Sequence, residues 1–247
     1  MYYRKVFSVL AALVLVAGAS FNLTASAKGT NSNHNKVAVE KESVQVPMNL
    51  AILIQDDLVT RVGSELGVTR DFIRTLPAGS QVMVGYITSG TLQVRQPFTS
   101  DLEKASKSLR TPIGSTSASA YNPYVEVVEA LRKFESGKGH NALLLISDGL
   151  DISGGFDTSA AGHTLDIDRA IHEANKRDVA IYSFYAPSVG LSGQNRLAAS
   201  YGQSSLNRVS QETGGMAYFQ GTNGFVTFDS YFDRLRRTLN EQYGRAS

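Results

Sequence analysis

The sequence predicts an α/β fold: a doubly wound, mostly parallel sheet flanked by helices, with one antiparallel edge strand. Three observations predict it. The apolar stretches "LAILI", "NALLLISDG" and "VAIYSFYAP" lack the alternation of a half-exposed strand, as expected of parallel strands covered on both faces. Segments with helical spacing separate them, which is the βαβ pattern. Two runs, "QVMVGYIT" and "TLQVRQPF", are joined by Ser89-Gly90, and this predicts a hairpin at one edge of the sheet.

The chain of 247 residues is 42% hydrophobic and 19% charged, enough apolar material for one sizeable core. Residues 1–27 have a basic start (Arg4, Lys5), an apolar run from Val6 to Ala17 and the small-residue stretch Ala25-Ser26-Ala27. This is the layout of a secretory signal peptide cleaved after Ala27. The apolar run is shorter than the roughly 20 residues a spanning helix needs, so no stable membrane span is expected after cleavage. The expected location is outside the cytoplasm, periplasmic or extracellular. Without Arg4 and Lys5 the 24 basic residues fall to 22, equal to the acidic ones; this balance carries no strong message about nucleic acid, and no nucleic-acid partner is expected. There is no Cys, which excludes disulfides, thiolate metal sites, a Cys nucleophile and a lipoprotein attachment. Polar residues 28–45 read as a tether, 46–243 as one domain and 244–247 as a tail.

Within the domain, the first strand (50–54) runs into Gln55, Asp56 and Asp57, and a helical pattern follows at once: Leu58, Val62, Leu66, Phe72, Ile73 and Leu76, ending before Pro77. After the hairpin, a short helix over 101–110 starts from Ser100 or Asp101. Asn122 caps a helix with Pro123 in its first turn, reaching about Phe134. The next strand ends at Asp148. Thr164 caps a helix with Asp166 and Asp168 in its first turn and Lys176 and Arg177 in its last, matching the helix dipole. A strand at 179–187, a helix near 203–213, a short strand "MAYFQ" and a helix from Phe228 to about Tyr243 complete the order.

Two strands therefore end in acid, at Gln55-Asp56-Asp57 and at Ser147-Asp148-Gly149, with Asp151 nearby. The Ser/Thr-rich segment 115–119 belongs to the same rim. Such oxygen donors at the carboxyl edge of an open α/β sheet suit a hard divalent cation. Arg61, one turn into the first helix, is the expected counter-ion for the acidic pair.

The segments "LAILIQDDLVTRVG", "FIRTLPAGSQVMVGYITSGTLQVRQPFTSD", "LLLISDGLD", "AIHEANKRDVAIYSFYAP" and "LNRVSQETGGMAYF", in this order, resemble the von Willebrand factor A-type (VWA) domain, in its exported bacterial VWFA-related group. The resemblance covers 46–243. It implies a Rossmann-like sheet and binding of a protein partner, often through a metal-ion-dependent adhesion site. That site uses Asp-x-Ser-x-Ser after the first strand, a Thr on a second loop and an Asp after a later strand. In this chain the first motif falls on Gln55, Asp57 and Val59; a shift by one gives Asp56, Leu58 and Thr60. Asp148 matches the later Asp, and Thr116 or Ser117 the Thr. The implied site is degenerate, with Gln55, Asp56, Asp57, Thr116, Ser117 and Asp148 as candidate ligands for Mg²⁺ or Mn²⁺ and no other cofactor.

Other chemistries lack their residues. Gln55 stands where an aspartyl phosphotransferase carries its nucleophile. His34, His140, His163 and His172 are dispersed, Gly190-Leu191-Ser192-Gly193 fails at the last position of a nucleophile elbow, and no phosphate-binding glycine loop follows a strand. The expectation is an exported, non-catalytic interaction module that meets its partner through rim loops 115–124 and 149–164. Two alternatives are a metal-dependent hydrolase using Asp56, Asp57, Asp148 and Asp151, and a structural envelope component.

Overall fold

The computed structural model describes residues 43–135, 139–156, 164–221 and 227–244. The expected signal peptide and nearly all of the expected tether lie outside the described residues. The elements are β1 (Met48–Gln55), α1 (Val62–Arg74), β2 (Gln81–Thr88), β3 (Thr91–Thr99), α2 (Leu102–Lys107), α3 (Pro123–Leu131), β4 (His140–Ser147), α4 (Leu165–Lys176), β5 (Val179–Tyr185), α5 (Leu191–Gln194), α6 (Arg196–Gln211), β6 (Ala217–Tyr218) and α7 (Asp229–Tyr243). The sheet order is β3-β2-β1-β4-β5-β6, parallel throughout except for β3 at one edge.

Alternate residues of each central strand feed two separate cores, and this makes the sheet doubly wound. Leu50, Ile52 and Ile54 point to the layer of α1, α2 and α7, whereas Ala51 and Leu53 point to α3, α4 and α6. All five are buried, so β1 is continuously apolar for the reason the sequence suggests. Phe184 anchors the first core, with the rings of Tyr218, Phe228, Tyr231 and Phe232 centred 4.9–5.5 Å away.

The caps follow the sequence closely. Asp101 accepts from the N–H of Lys104 at 2.9 Å, Asn122 from Tyr124 at 3.0 Å and Thr164 from Ile167 at 3.5 Å. Three boundaries differ. Helix α6 starts at Arg196, earlier than expected, because Asn195 caps it through the N–H groups of Leu197 and Ala198. The last strand shrinks to Ala217–Tyr218. Val44 is 3% exposed and the Gln45 N–H donates to Asn240 Oδ1, so the packed domain reaches back into the expected tether.

The difference that matters most lies after β1. No helix follows at once: the chain turns over 56–61 and enters α1 only at Val62. Leu58 bridges Ser188, the Val59 N–H donates to Pro187 O at 3.0 Å, and the Val189 N–H donates to Asp57 O at 2.9 Å. A short antiparallel pairing with the segment after β5 thus replaces the first helical turn. It fixes which of the two aspartates faces the cleft.

Candidate functional site

Strand order reverses between β1 and β4, since one continues toward β2 and the other toward β5. Crevices at such a reversal, outside the carboxyl ends of the strands, are where open α/β sheets bind ligands. Ile54 lies beside Ile146 in the parallel register, so Gln55-Asp56-Asp57 and Ser147-Asp148 leave the sheet side by side.

The two adjacent aspartates part company immediately. Asp56 turns toward β2 and is fully buried. Arg110 clamps it in a bidentate pair, Nη1 to Oδ1 and Nη2 to Oδ2, both 2.6 Å. Thr88 Oγ1 donates to Oδ2 at 2.6 Å and the Ile113 N–H to Oδ1 at 2.9 Å. The guanidinium in turn lies 4.1 Å over the Tyr86 ring, and the Tyr86 hydroxyl bonds the Arg110 backbone. Burial alone would raise the Asp56 pKa. The Arg110 bonds, with those from Thr88 and Ile113, outweigh it and hold the carboxyl below its ordinary value. The counter-ion is therefore Arg110, from a segment 54 residues away, and the expected Arg61 is exposed.

Asp57 turns the other way, toward Asp148. Gln55 sits between them with its amide orientation fixed by its neighbours. Its Oε1 accepts from Ser147 Oγ at 2.6 Å and from the Asp148 N–H at 3.2 Å, which leaves Nε2 to donate to Asp57 Oδ1 at 2.7 Å. Rotating the amide would aim its NH₂ at a backbone N–H, so the network allows one orientation. Asp148 accepts from the Leu150 N–H at 3.1 Å and from Ser192 Oγ at 2.8 Å; Ser188 supports Ser192 through its own N–H and hydroxyl. Burial, then the negative charge of Asp148, raises the Asp57 pKa to about 6, against the opposing bond from Gln55. Burial likewise raises Asp148.

Close packing of α6 positions Asp148. A Cβ on Gly202 would lie 1.9 Å from Asp148 O, and one on Gly149, whose φ is +72°, would lie 2.4 Å from Gly202 O. Both positions need glycine for the helix to approach the loop this closely.

Asp57 and Asp148 border a cavity of about 30 Å³ with Gln55, Ser119, Tyr121 and Ser188. That is about the volume of one water molecule. Of the sequence-predicted residues, the structure brings together Gln55, Asp57 and Asp148 here. Asp56 lies with Arg110. Thr116 and Ser117 are exposed on a 3₁₀ turn, where Ser117 O accepts from Ser89 Oγ. Ser119, two residues further on, takes the place on the second loop. Ser119, Ser188 and Ser192 were missed: an isolated Ser carries no sequence signal, although 115–119 did mark the right loop. Asp151 caps its own turn through Ser153, and residues 157–163 of the expected rim loop lie outside the described residues.

The residues do not fit the Mg²⁺ that the fold type implies. Mg²⁺ requires six oxygens in near-octahedral array. Gln55 presents an NH₂ toward the carboxylates, Val59 brings no oxygen on its side chain, and the Asp56 carboxylate is committed to Arg110. Among the described residues no group of three His, Cys, Asp or Glu could hold a metal ion. A larger cavity, about 350 Å³, opens at the opposite edge between Met48, Phe98 and Phe134, and includes none of the predicted site residues. Among the described residues no helix is long and apolar enough to cross a membrane.

No family model and no curated protein matches the chain. Solved structures do share its fold. The conserved hypothetical protein BatB from Bacteroides thetaiotaomicron superposes with a TM-score of 0.53 at 14% identity, covering 80% of this chain and 98% of that one. An aerotolerance-related membrane protein from Bacteroides fragilis NCTC 9343, carrying multiple mutations to serines, gives 0.51 at 15% identity over 79% and 100%. Human COPII-coat protein Sec24c gives 0.53 at 12% identity over 80% of this chain and 32% of that one. At these identities the likeness concerns the fold alone, a mostly parallel sheet flanked by helices.

Proposed function

We propose that the chain is an exported, non-catalytic protein-binding module of von Willebrand factor A type, whose partner meets the carboxyl edge of the sheet without a metal bridge. One observation carries this reading. Arg110 holds the Asp56 carboxylate and Gln55 turns its NH₂ toward Asp57, so of the candidate carboxylates only Asp57 and Asp148 border the small cavity. Hydrolysis would need an activated water and a general base beside it, with room for substrate. The cavity between Asp57 and Asp148 measures about 30 Å³, and of the other two aspartates considered for a hydrolase Asp56 is held by Arg110 and Asp151 caps its own turn. Loop-borne side chains at the strand ends of a rigid sheet suit recognition. Export rests on the layout of residues 1–27.

Calorimetric titration of the purified chain with Mg²⁺ and Mn²⁺ tests the metal-free reading. The expected result is no saturable heat below about millimolar concentration. A micromolar signal that Asp148→Ala abolishes would overturn it. Reproducible turnover of a small substrate, lost on Asp57→Asn, would overturn the non-catalytic reading.

A further inference from the structure

Most of the exposed large hydrophobic side chains among the described residues stand at the carboxyl edge. Among the described residues seven large hydrophobic side chains are exposed, and five of them, Ile113, Tyr121, Val125, Leu165 and Leu197, stand at this edge with exposures of 46–73%. Tyr121 walls the cavity itself. Val125 lies in the first turn of α3, and Leu165 opens α4, which Asn122 ties to α3 through Asp166 at 2.8 Å. Leu197 lies in the first turn of α6, and Ile113 follows the Arg110 clamp. Apolar side chains gathered at one end of a domain, around polar groups, mark an interaction surface.

The polar groups at its centre define the partner's charge. Asp57 and Asp148 are 2% and 4% exposed, and neither forms an ion pair with a Lys, Arg or His among the described residues. Asp56, the neighbour of one of them, has its Arg. The cavity has oxygen acceptors on several sides: the two carboxylates and the hydroxyls of Ser119 and Ser188. A divalent metal bound there would invite an acidic side chain from the partner, but the donor set does not suit one. A primary ammonium does suit it. An ammonium is about as large as a water molecule, is a point charge, and rotates three N–H donors toward whatever acceptors are present. A guanidinium is planar and too large for about 30 Å³. A lysine's four-carbon stem would lie along the apolar walls formed by Tyr121, Leu150 and Leu191 while its charge reaches the carboxylates.

We infer that this edge docks an apolar peptide segment that inserts one lysine ammonium between Asp57 and Asp148. The inference rests on the protein-binding reading above and adds the sign and size of the anchor. The partner is a protein segment in which a lysine is flanked by aliphatic or aromatic residues.

The experiment is a selection of random phage-displayed peptides on the immobilised full chain in EDTA, followed by binding measurements on synthetic copies of the selected peptides. The expected peptides carry a lysine between apolar residues, and replacing that lysine by norleucine weakens binding roughly tenfold or more. The same replacement has little effect on binding to Asp57→Asn. Should Asp57→Asn fail to fold, the peptide-side replacement still decides. Selected peptides that bind equally well with norleucine, that anchor through an acidic residue in Mg²⁺ only, or that bind Asp57→Asn undiminished would overturn the lysine anchor. Leu165→Ser and Leu197→Ser separate this failure from that of the underlying reading. If they weaken a lysine-independent peptide, the edge still binds protein and only the anchor falls. If no peptide is enriched over bare support, or none responds to these variants, both fall.

Discussion

Asp56 and Asp57 are neighbours in the chain, equally buried and chemically identical, yet they face opposite electrostatic worlds. Asp56 receives a bidentate arginine, a threonine hydroxyl and a backbone N–H. Asp57 receives a neutral amide and another carboxylate as its neighbour. The difference teaches that burial by itself decides nothing about a carboxylate's role. A buried charge with a full set of partners is a strut; a buried charge beside a like charge retains an unmet demand for a cation. The pairing of 57–59 with 187–189 imposes this division, because it turns one side chain toward β2 and the next toward β4.

Breaking the Asp56 side is expected to have the largest effect. Arg110→Ala leaves a buried carboxylate without its counter-ion and removes the cover over Tyr86, a loss of about 3 kcal/mol. The check is the urea midpoint at neutral pH, and an unchanged midpoint would refute the strut assignment. The Asp57 side should respond with the opposite sign. Asp57→Asn keeps the shape and removes the repulsion with Asp148, so stability should rise by about 2 kcal/mol above pH 6.

The pH dependence sharpens the contrast. Asp57 has a folded pKa raised from 3.8 to about 6, so the folded chain keeps a proton that the unfolded chain releases. Its favourable contribution is complete below pH 3.8 and lost as pH rises through about 6. Asp56 is lowered; its contribution is present above pH 3.8 and lost as pH falls through its folded pKa. Urea titrations from pH 3 to pH 8 should therefore show Asp57→Asn more stable and Asp56→Asn less stable than the parent chain at neutral pH, the first difference fading as pH falls from about 6 to 3.8 and the second only below 3.8. The smallest effects are expected on the second loop and at Arg61. Ser119→Ala removes a hydroxyl from the cavity wall beside Asp57 and should lower the urea midpoint only slightly, whereas Thr116→Ala and Arg61→Ala should leave it unchanged.

Much of this architecture was legible in advance. The three apolar strands, the Ser89-Gly90 hairpin and the caps Asn122 and Thr164 were read from residues within a few positions of one another, and all stand in the structure. Ile54 ends the apolar run, and of the two registers this leaves open, the one on Gln55 and Asp57 is the one whose residues border the cavity. Arg110 was not legible, since nothing near it in sequence marks it as the partner of Asp56. The choice between Thr116 and Ser117 could not reveal Ser119, because the 3₁₀ turn Thr116–Ala118 leaves those two exposed and Ser119 at the cavity.

By itself, the sequence determined the α/β class, the order of the elements and the meeting of two acidic strand ends at one edge. Those follow from periodicity, capping and burial, which act over a few residues. Only the tertiary structure decided which aspartate is neutralised, which serine reaches the cavity and how Gln55 orients its amide. Each of these depends on contacts between segments roughly 50 to 130 residues apart, such as Arg110 with Asp56 and Ser188 with Leu58. Local pattern carries no information about such contacts, because a charge or hydroxyl gains its role from whatever the folded chain places opposite it.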